Sequence, residues 1–162
     1  MASELTSLRV RIATSKDADR LIPLINSAFA VETFLEGPRT DPERLAAAMR
    51  KGTILLAEDV NGCLAASVYL ELRGSRGYVG MLAVDPARQR SGLGGRMMRE
   101  AETYLRQHGC GAVDITVLSL RPELPPVYRK LGFVETGTEP FVYPHRISGD
   151  QACHCIVMSK DL

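Results

Sequence analysis

Tyr78 to Gln107 reads YVGMLAVDPARQRSGLGGRMMREAETYLRQ, and the order of residue types in it sets the fold. An apolar run from Val79 to Val84 stops at Asp85-Pro86. A short basic loop follows, Ala87-Arg88-Gln89-Arg90-Ser91, and then Gly92-Leu93-Gly94-Gly95. From there Leu93, Met97, Ala101, Tyr104 and Leu105 recur at helical spacing, with Arg96, Arg99, Glu100, Glu102 and Arg106 off that stripe. The stretch predicts a strand, a basic glycine loop and a helix.

That order builds an anion site. The first amides of a helix lack intrahelical partners, and the helix dipole favours negative charge there. Glycines let a bulky phosphate approach the backbone, and Arg88 and Arg90 add positive charge nearby. A pyrophosphate is the natural ligand of such a loop. The spacing speaks against two common versions of it. No G-x-x-x-x-G-K-[ST] is present, so it is not a nucleotide P-loop, and the full G-x-G-x-x-G of a dinucleotide fold is missing.

Gln89-Arg90-Ser91-Gly92-Leu93-Gly94 resembles the Q/R-x-x-G-x-G/A signature of the GNAT superfamily of N-acetyltransferases. The Val84-Asp85-Pro86 turn before it and the basic amphipathic helix after it match as well. A second block, Tyr128-Arg129-Lys130-Leu131-Gly132-Phe133, is similar to the family's Y-x-K-x-G-F element. The two blocks stand in the family's order at about its separation, so the resemblance covers nearly the whole chain. It implies an α/β (mixed α+β) fold: a central mixed, mostly antiparallel sheet flanked by helices and splayed at the acetyl-CoA site. It also implies one N-acetyltransferase domain over residues 1–162.

By the same resemblance, the backbone edge of Leu82, Ala83 and Val84 pairs with the pantetheine arm of acetyl-CoA. The pyrophosphate rests on the amides of Gln89, Arg90, Ser91, Gly92, Leu93, Gly94 and Gly95. The reaction implied is direct transfer of an acetyl group from the thioester to a primary amine of a small molecule or protein. A backbone N–H near Leu82 faces the oxyanion, and Tyr128 matches the family tyrosine that protonates the departing thiolate. A phenol of pKa about 10 suits a thiolate of pKa about 8.5. The connection between the first two helices walls the acceptor site in this fold, which makes Glu32, Phe34, Glu36 and Arg39 candidate substrate contacts. Their acidic members favour a cationic acceptor. The family often forms homodimers, which extends the expectation to a homodimer here.

Two departures from the family pattern matter. The acid that often serves as base on the central strand is missing from Tyr78 to Val84, which leaves Glu71, Glu32, Glu36 and His154 as candidates, or proton loss to water. The Asn often found seven positions before the tyrosine is Arg121 here, followed by Pro122-Glu123-Leu124-Pro125-Pro126. That arginine reaches a cofactor phosphate or faces water. A non-catalytic CoA-binding module of the same fold is the alternative function.

Outward from the decisive stretch, Leu8 to Ala13 alternates apolar and basic, a half-buried first strand with Leu8, Val10 and Ile12 inward. Thr14 or Ser15 caps a helix with an apolar face of Ala18, Leu21, Ile22, Ile25, Ala28 and Phe29, where Pro23 predicts a kink or a late start. Val31 to Thr40 is a loop broken at Gly37-Pro38. Asp41-Pro42-Glu43 opens a second helix that ends at Lys51-Gly52. Thr53 to Ala57 and Cys63 to Leu72 are strands joined by an Asn61-Gly62 turn, and Gly74 to Gly77 turns into the central run. Past the long helix, His108-Gly109 is a stop, Ala112 to Leu118 a buried strand and Arg121 to Leu131 a short helix. Val134 to Tyr143 and Cys153 to Lys160 form an antiparallel pair.

The 162 residues carry a net charge of +1, so bulk electrostatics implies no nucleic-acid partner. The opening MASELTSLRVRIA has no apolar signal core, and no run of about 18 apolar residues occurs, so no membrane partner is expected. Four cysteines, Cys63, Cys110, Cys153 and Cys155, include no C-x-x-C and read as small buried thiols. Cys110 has no ordered His partner for covalent catalysis. A zinc set at Cys153-His154-Cys155 fails on strand geometry, because alternate residues face opposite ways. No metal is expected, and a reducing, cytoplasmic setting is.

Overall fold

A computed structural model of the chain describes residues 7–162. The opening residues 1–6, read above as lacking a signal core, lie outside the described residues. The strands are β1 (Arg9–Ile12), β2 (Thr53–Glu58), β3 (Leu64–Arg73), β4 (Arg76–Val84), β5 (Ala112–Leu118), β6 (Val134–Pro140) and β7 (His154–Asp161). The α-helices are α1 (Ala18–Ala28), α2 (Pro42–Lys51), α3 (Leu93–Gln107) and α4 (Leu124–Lys130). The strands form one seven-stranded sheet in the order β1-β2-β3-β4-β5-β7-β6. Every neighbouring pair is antiparallel except β4 and β5. That pair is parallel because α3 carries the chain back across the sheet between them. The mixed, mostly antiparallel sheet expected from the sequence is the one found.

Two cores lie on the two faces of this sheet. α3 packs Leu93, Met97, Met98, Ala101 and Leu105 against Val68, Leu70, Val79, Val113 and Ile115. α1 and α2 pack Leu21, Ile25 and Leu45 against Ile54, Leu56, Tyr69 and Ala83. β3 is therefore buried on both faces over most of its length, with Val68 and Leu70 in one core and Tyr69 in the other. α3 ends where Gly109 adopts φ +83°, as the glycine after His108 predicts.

Some local readings are corrected. Ile12 is exposed, at the end of the edge strand β1. β4 begins at Arg76, since Gly74, at φ +66°, and Ser75 complete the β3–β4 hairpin turn. Glu102, off the apolar stripe in the sequence, is buried, and Lys160 Nζ meets its Oε1 at 2.7 Å. Pro23 sits inside α1, which runs through it. Cys63 is exposed, Cys110 is buried, and Cys153 and Cys155 are half-buried, all as free thiols.

The entry to α1 is held by charge. Thr14 and Asp17 form a capping box over a single 3-10 turn, and Asp17 takes Arg11 Nη2 at 2.7 Å and Arg20 Nη2 at 2.8 Å. The Arg11 guanidinium holds the buried Asp17 carboxyl far below the usual carboxylate range. A depressed native pKa gives stabilisation that is complete above the unfolded value of about 3.9 and lost as pH falls through the native one. Asp17→Asn is thus expected to cost roughly 2 kcal/mol at pH 7. In thermal melts the gap to the wild-type protein should close as pH falls below about 4. A gap still at its full size at pH 2 contradicts the assignment.

Candidate active site

β4 and β5 pair only at Arg76–Ala112, Gly77–Val113 and Tyr78–Asp114. Among the described residues no β4–β5 pair continues past Tyr78. Each strand keeps its partner on the far side: β5 pairs with β7 from Ala112 to Leu118, and β4 pairs with β3. A bulge widens the fork. Between its partners for Ser67 and Tyr69, β4 carries one residue more than β3, and Met81 there has φ +46°. Gly80 makes room for this turn: a Cβ on it would lie 2.9 Å from the Tyr78 hydroxyl. That hydroxyl meets Thr116 Oγ1 across the fork at 3.1 Å.

A cavity of about 680 Å³ fills the fork, walled by both strands, α1, α4 and the loop before α3. Among the described residues, the two non-glycine residues with positive φ, Met81 and Arg90, both line it. Strained backbone gathered at one cavity is a mark of a working site.

The glycine loop sits at the base of the fork. Gly92 is the N-cap of α3, with φ +85° and no side-chain cap. Among the described residues, the amides of Gln89 through Gly95 have no protein acceptor; the first amide bonded is that of Arg96, to Gly92 O. Leu82, Val84, Gln89 and Arg90 line the cavity. Gln89 also reaches back, its Nε2 donating to Val84 O at 3.4 Å. Ala83 does not line the cavity, since its methyl turns into the α1–α2 core. Ser91 donates to Arg88 O at 2.5 Å, and Leu93 is buried under the helix. A Cβ on Gly94 would meet only Leu82 and Val84, at 3.9 Å, whereas one on Gly95 would meet Arg99 at 3.4 Å. Arg88, expected to add charge at the loop, is paired with Asp59 at 2.7 Å, so Arg90 is the loop arginine facing the cavity.

Tyr128 projects from α4 into the same cavity. Phe133 packs edge-on against its ring, with centroids 5.9 Å apart. Among the described residues its hydroxyl has no hydrogen-bond partner, and burial pushes its pKa up, so the phenol stays protonated at neutral pH.

The expected acceptor residues separate into two groups. Glu32 and Arg39 line the cavity. Phe34 and Glu36 do not; their backbones zip the 31–40 loop to the 144–148 turn, Phe34 O accepting from Ser148 N and Glu36 N donating to Arg146 O, both at 2.7 Å. Glu71 lies outside the cavity lining, buried between Tyr69 Oη at 2.6 Å, Arg73 Nε at 3.0 Å and Lys51 Nζ at 3.8 Å. Burial alone would raise its pKa; the Tyr69 and Arg73 bonds prevail and lower it, so Glu71 remains a bound carboxylate. His154 is also outside the cavity lining. No local motif marks the main contact of these acids: Arg121 pairs with buried Glu32 at 2.9 Å and with Glu123 at 2.6 Å. It does not face water alone, since its Nε and Nη1 are bound to carboxylates. Glu32 is neutralised from two sides, which removes the acidic preference expected of the loop. Thr116 and the Met81 bulge were also missed. Gly80 inside an apolar strand was the available signal for the bulge.

Residues 24–143 match a family model described as an acetyltransferase (GNAT) domain. Glucosamine 6-phosphate N-acetyltransferase 1 of Oryza sativa subsp. japonica is 36% identical over 109 residues, covering 62% of this chain and 64% of that protein. Mycothiol acetyltransferase of Clavibacter sepedonicus is 30% identical over 130 residues, covering 78% of this chain and 42% of that protein. The chain thus spans less than two thirds of the length of these relatives. The ribosomal-protein-S18-alanine N-acetyltransferase of Escherichia coli shares the fold at a TM-score of 0.78 and 19% identity, over 95% of this chain and 93% of that one. A Salmonella typhimurium structure with its cofactor acetyl-CoA superposes at 0.73 with 20% identity, over 96% and 94% of the two chains.

Proposed function

The chain belongs to the GNAT acetyltransferase family, and on that premise we propose that it is an acetyl-CoA-dependent N-acetyltransferase acting on a primary amine of a small molecule or protein. The observation that carries the reading is the fork between β4 and β5. It opens beside the loop of unpartnered amides from Gln89 to Gly95, of which Gln89 and Arg90 line the cavity, and has the Tyr128 phenol on its wall.

The residues present fit the donor. Bound acetyl-CoA supplies the activated thioester. Amides with no protein acceptor, at a helix N-terminus and beside Arg90, suit its pyrophosphate. The unpaired edge of β4 past Tyr78 leaves backbone groups for the pantetheine amides. Tyr128, neutral and held by Phe133, donates its proton to the leaving sulfur. Both carboxylates on the cavity wall, Glu32 and Glu123, are bound to Arg121, so neither is a free base. The acceptor ammonium therefore loses its proton to water before attack.

This makes the pH dependence specific. The value of kcat/KM should rise about tenfold per pH unit until the acceptor's own amine pKa, and the inflection should move with that pKa from one acceptor to another. An inflection fixed at one pH for two acceptors of different basicity points to a protein base instead. The lack of a free carboxylate among the described residues of the cavity wall also favours a second reading, a CoA-binding module without turnover. Release of free thiol from acetyl-CoA across a panel of amines separates the two: turnover supports the enzyme, and binding with no turnover on any amine leaves the module.

A further inference from the structure

We propose that the acceptor amine carries an oxyanion, a phosphate or a carboxylate, and that Arg39 and Arg121, supported by Arg146, receive it. The inference rests on the acetyltransferase reading of the cavity and names the substrate class of that site.

Arg39 and Arg121 come from distant parts of the chain and meet on one wall of the cavity. Buried Glu32 holds both: Arg39 Nη1 donates to Oε1 at 3.0 Å and Arg121 Nη1 to Oε2 at 2.9 Å. One carboxylate thereby sets two guanidinium groups side by side. Each is fixed by a further contact. Arg121 Nε donates to Glu123 at 2.6 Å, and Arg39 lies over the Phe29 ring, 4.4 Å from its centroid.

A guanidinium has five N–H donors in a planar fork. Among the described residues, Arg39 Nε and Nη2 and Arg121 Nη2 bond to no protein acceptor. The two arginines are therefore oriented by Glu32 without being used up. Arg146 adds charge from behind. It lines a small recess that shares Phe29, Glu32 and Arg39 with the main cavity. Its Nε and Nη2 donate to the carbonyls of Glu36 and Pro38, and among the described residues it forms no ion pair with a carboxylate. Burial and then the nearby Arg44 and Arg39 charges lower its pKa, a sign of crowded cations.

The cavity wall sets Arg39 and Arg121 against Glu32 and Glu123, and Arg146 in the adjoining recess tips the balance to positive. An ammonium arriving alone meets a surplus of like charge. An amine that also carries an oxyanion meets oriented donors, and charge-assisted bonds from a fork hold it in one register. The anion then fixes where the amine lies relative to the fork of the sheet.

The test uses the whole chain saturated with CoA and two matched pairs of amines: glucosamine with glucosamine 6-phosphate, and tyramine with tyrosine. Binding is read by titration calorimetry, with the CoA-induced rise in melting temperature recorded first for every protein. The expected result is at least tenfold tighter binding of the anionic member in one pair. Which pair responds tells phosphate from carboxylate. In Arg39→Met, and separately in Arg146→Met, that preference should fall at least threefold. Equal affinity within both pairs for the wild-type chain overturns the proposal, and so does absence of binding by all four compounds. A preference that survives undiminished in both variants overturns it too. Loss of the CoA-induced rise in the wild-type chain is a different failure, that of the transferase reading. A retained rise with no anion preference sinks the anion site alone.

Discussion

Tyr128→Phe is expected to lower kcat by about a hundredfold or more, the usual contribution of a positioned general acid. The KM for acetyl-CoA should change little. The reasons are local. The hydroxyl has no hydrogen-bond partner among the described residues, so removing it breaks no protein contact. The ring keeps its edge-on packing against Phe133, so the cavity keeps its shape. What is lost is a proton donor held neutral by burial, facing the region where a thiolate must leave. Steady-state kinetics with a single amine checks this. A kcat within threefold of the wild-type value assigns the proton to water and returns Tyr128 to a packing role.

Gly94 separates two demands that the glycine loop meets at once. A Cβ there touches only Leu82 and Val84, at ordinary contact distance, so the protein alone accepts a side chain. Gly94→Ala should leave acetyl-CoA binding largely intact and stabilise the free chain by up to about 1 kcal/mol, because alanine is the better helix former. Gly94→Glu places bulk and negative charge at the helix N-terminus, where the unpartnered amides gather. It should weaken acetyl-CoA binding at least a hundredfold while the chain still folds. Titration calorimetry on the two variants reads both effects, and similar affinities for acetyl-CoA in the two would show that the pyrophosphate lies elsewhere.

The parts of this protein that are legible in its sequence are those written in local chemistry. Asp85-Pro86, the two glycines Gly92 and Gly94, and the 3.6-residue stripe of α3 each report a backbone requirement on the spot. The strand, loop and helix follow from them. The acceptor wall was hidden for the opposite reason. Glu32 and Arg121 are 89 residues apart, and their pairing depends on how the 31–40 loop meets the start of α4. Glu32 taken by itself suggested an acidic pocket; two arginines folded onto it reverse the sign. The Met81 bulge depends on register against β3, which no local pattern encodes, although Gly80 marked the place.

The central claim is that the fork and the glycine loop hold acetyl-CoA. Thermal unfolding of the wild-type chain with acetyl-CoA, and with ATP and NAD as controls, tests it most directly. At about 100 times its dissociation constant a ligand adds roughly 2.7 kcal/mol, which raises the melting temperature of a domain this size by about 5–10 °C. The account predicts that rise with acetyl-CoA alone, and its disappearance in Gly94→Glu. No rise with acetyl-CoA, or an equal rise with ATP, contradicts it.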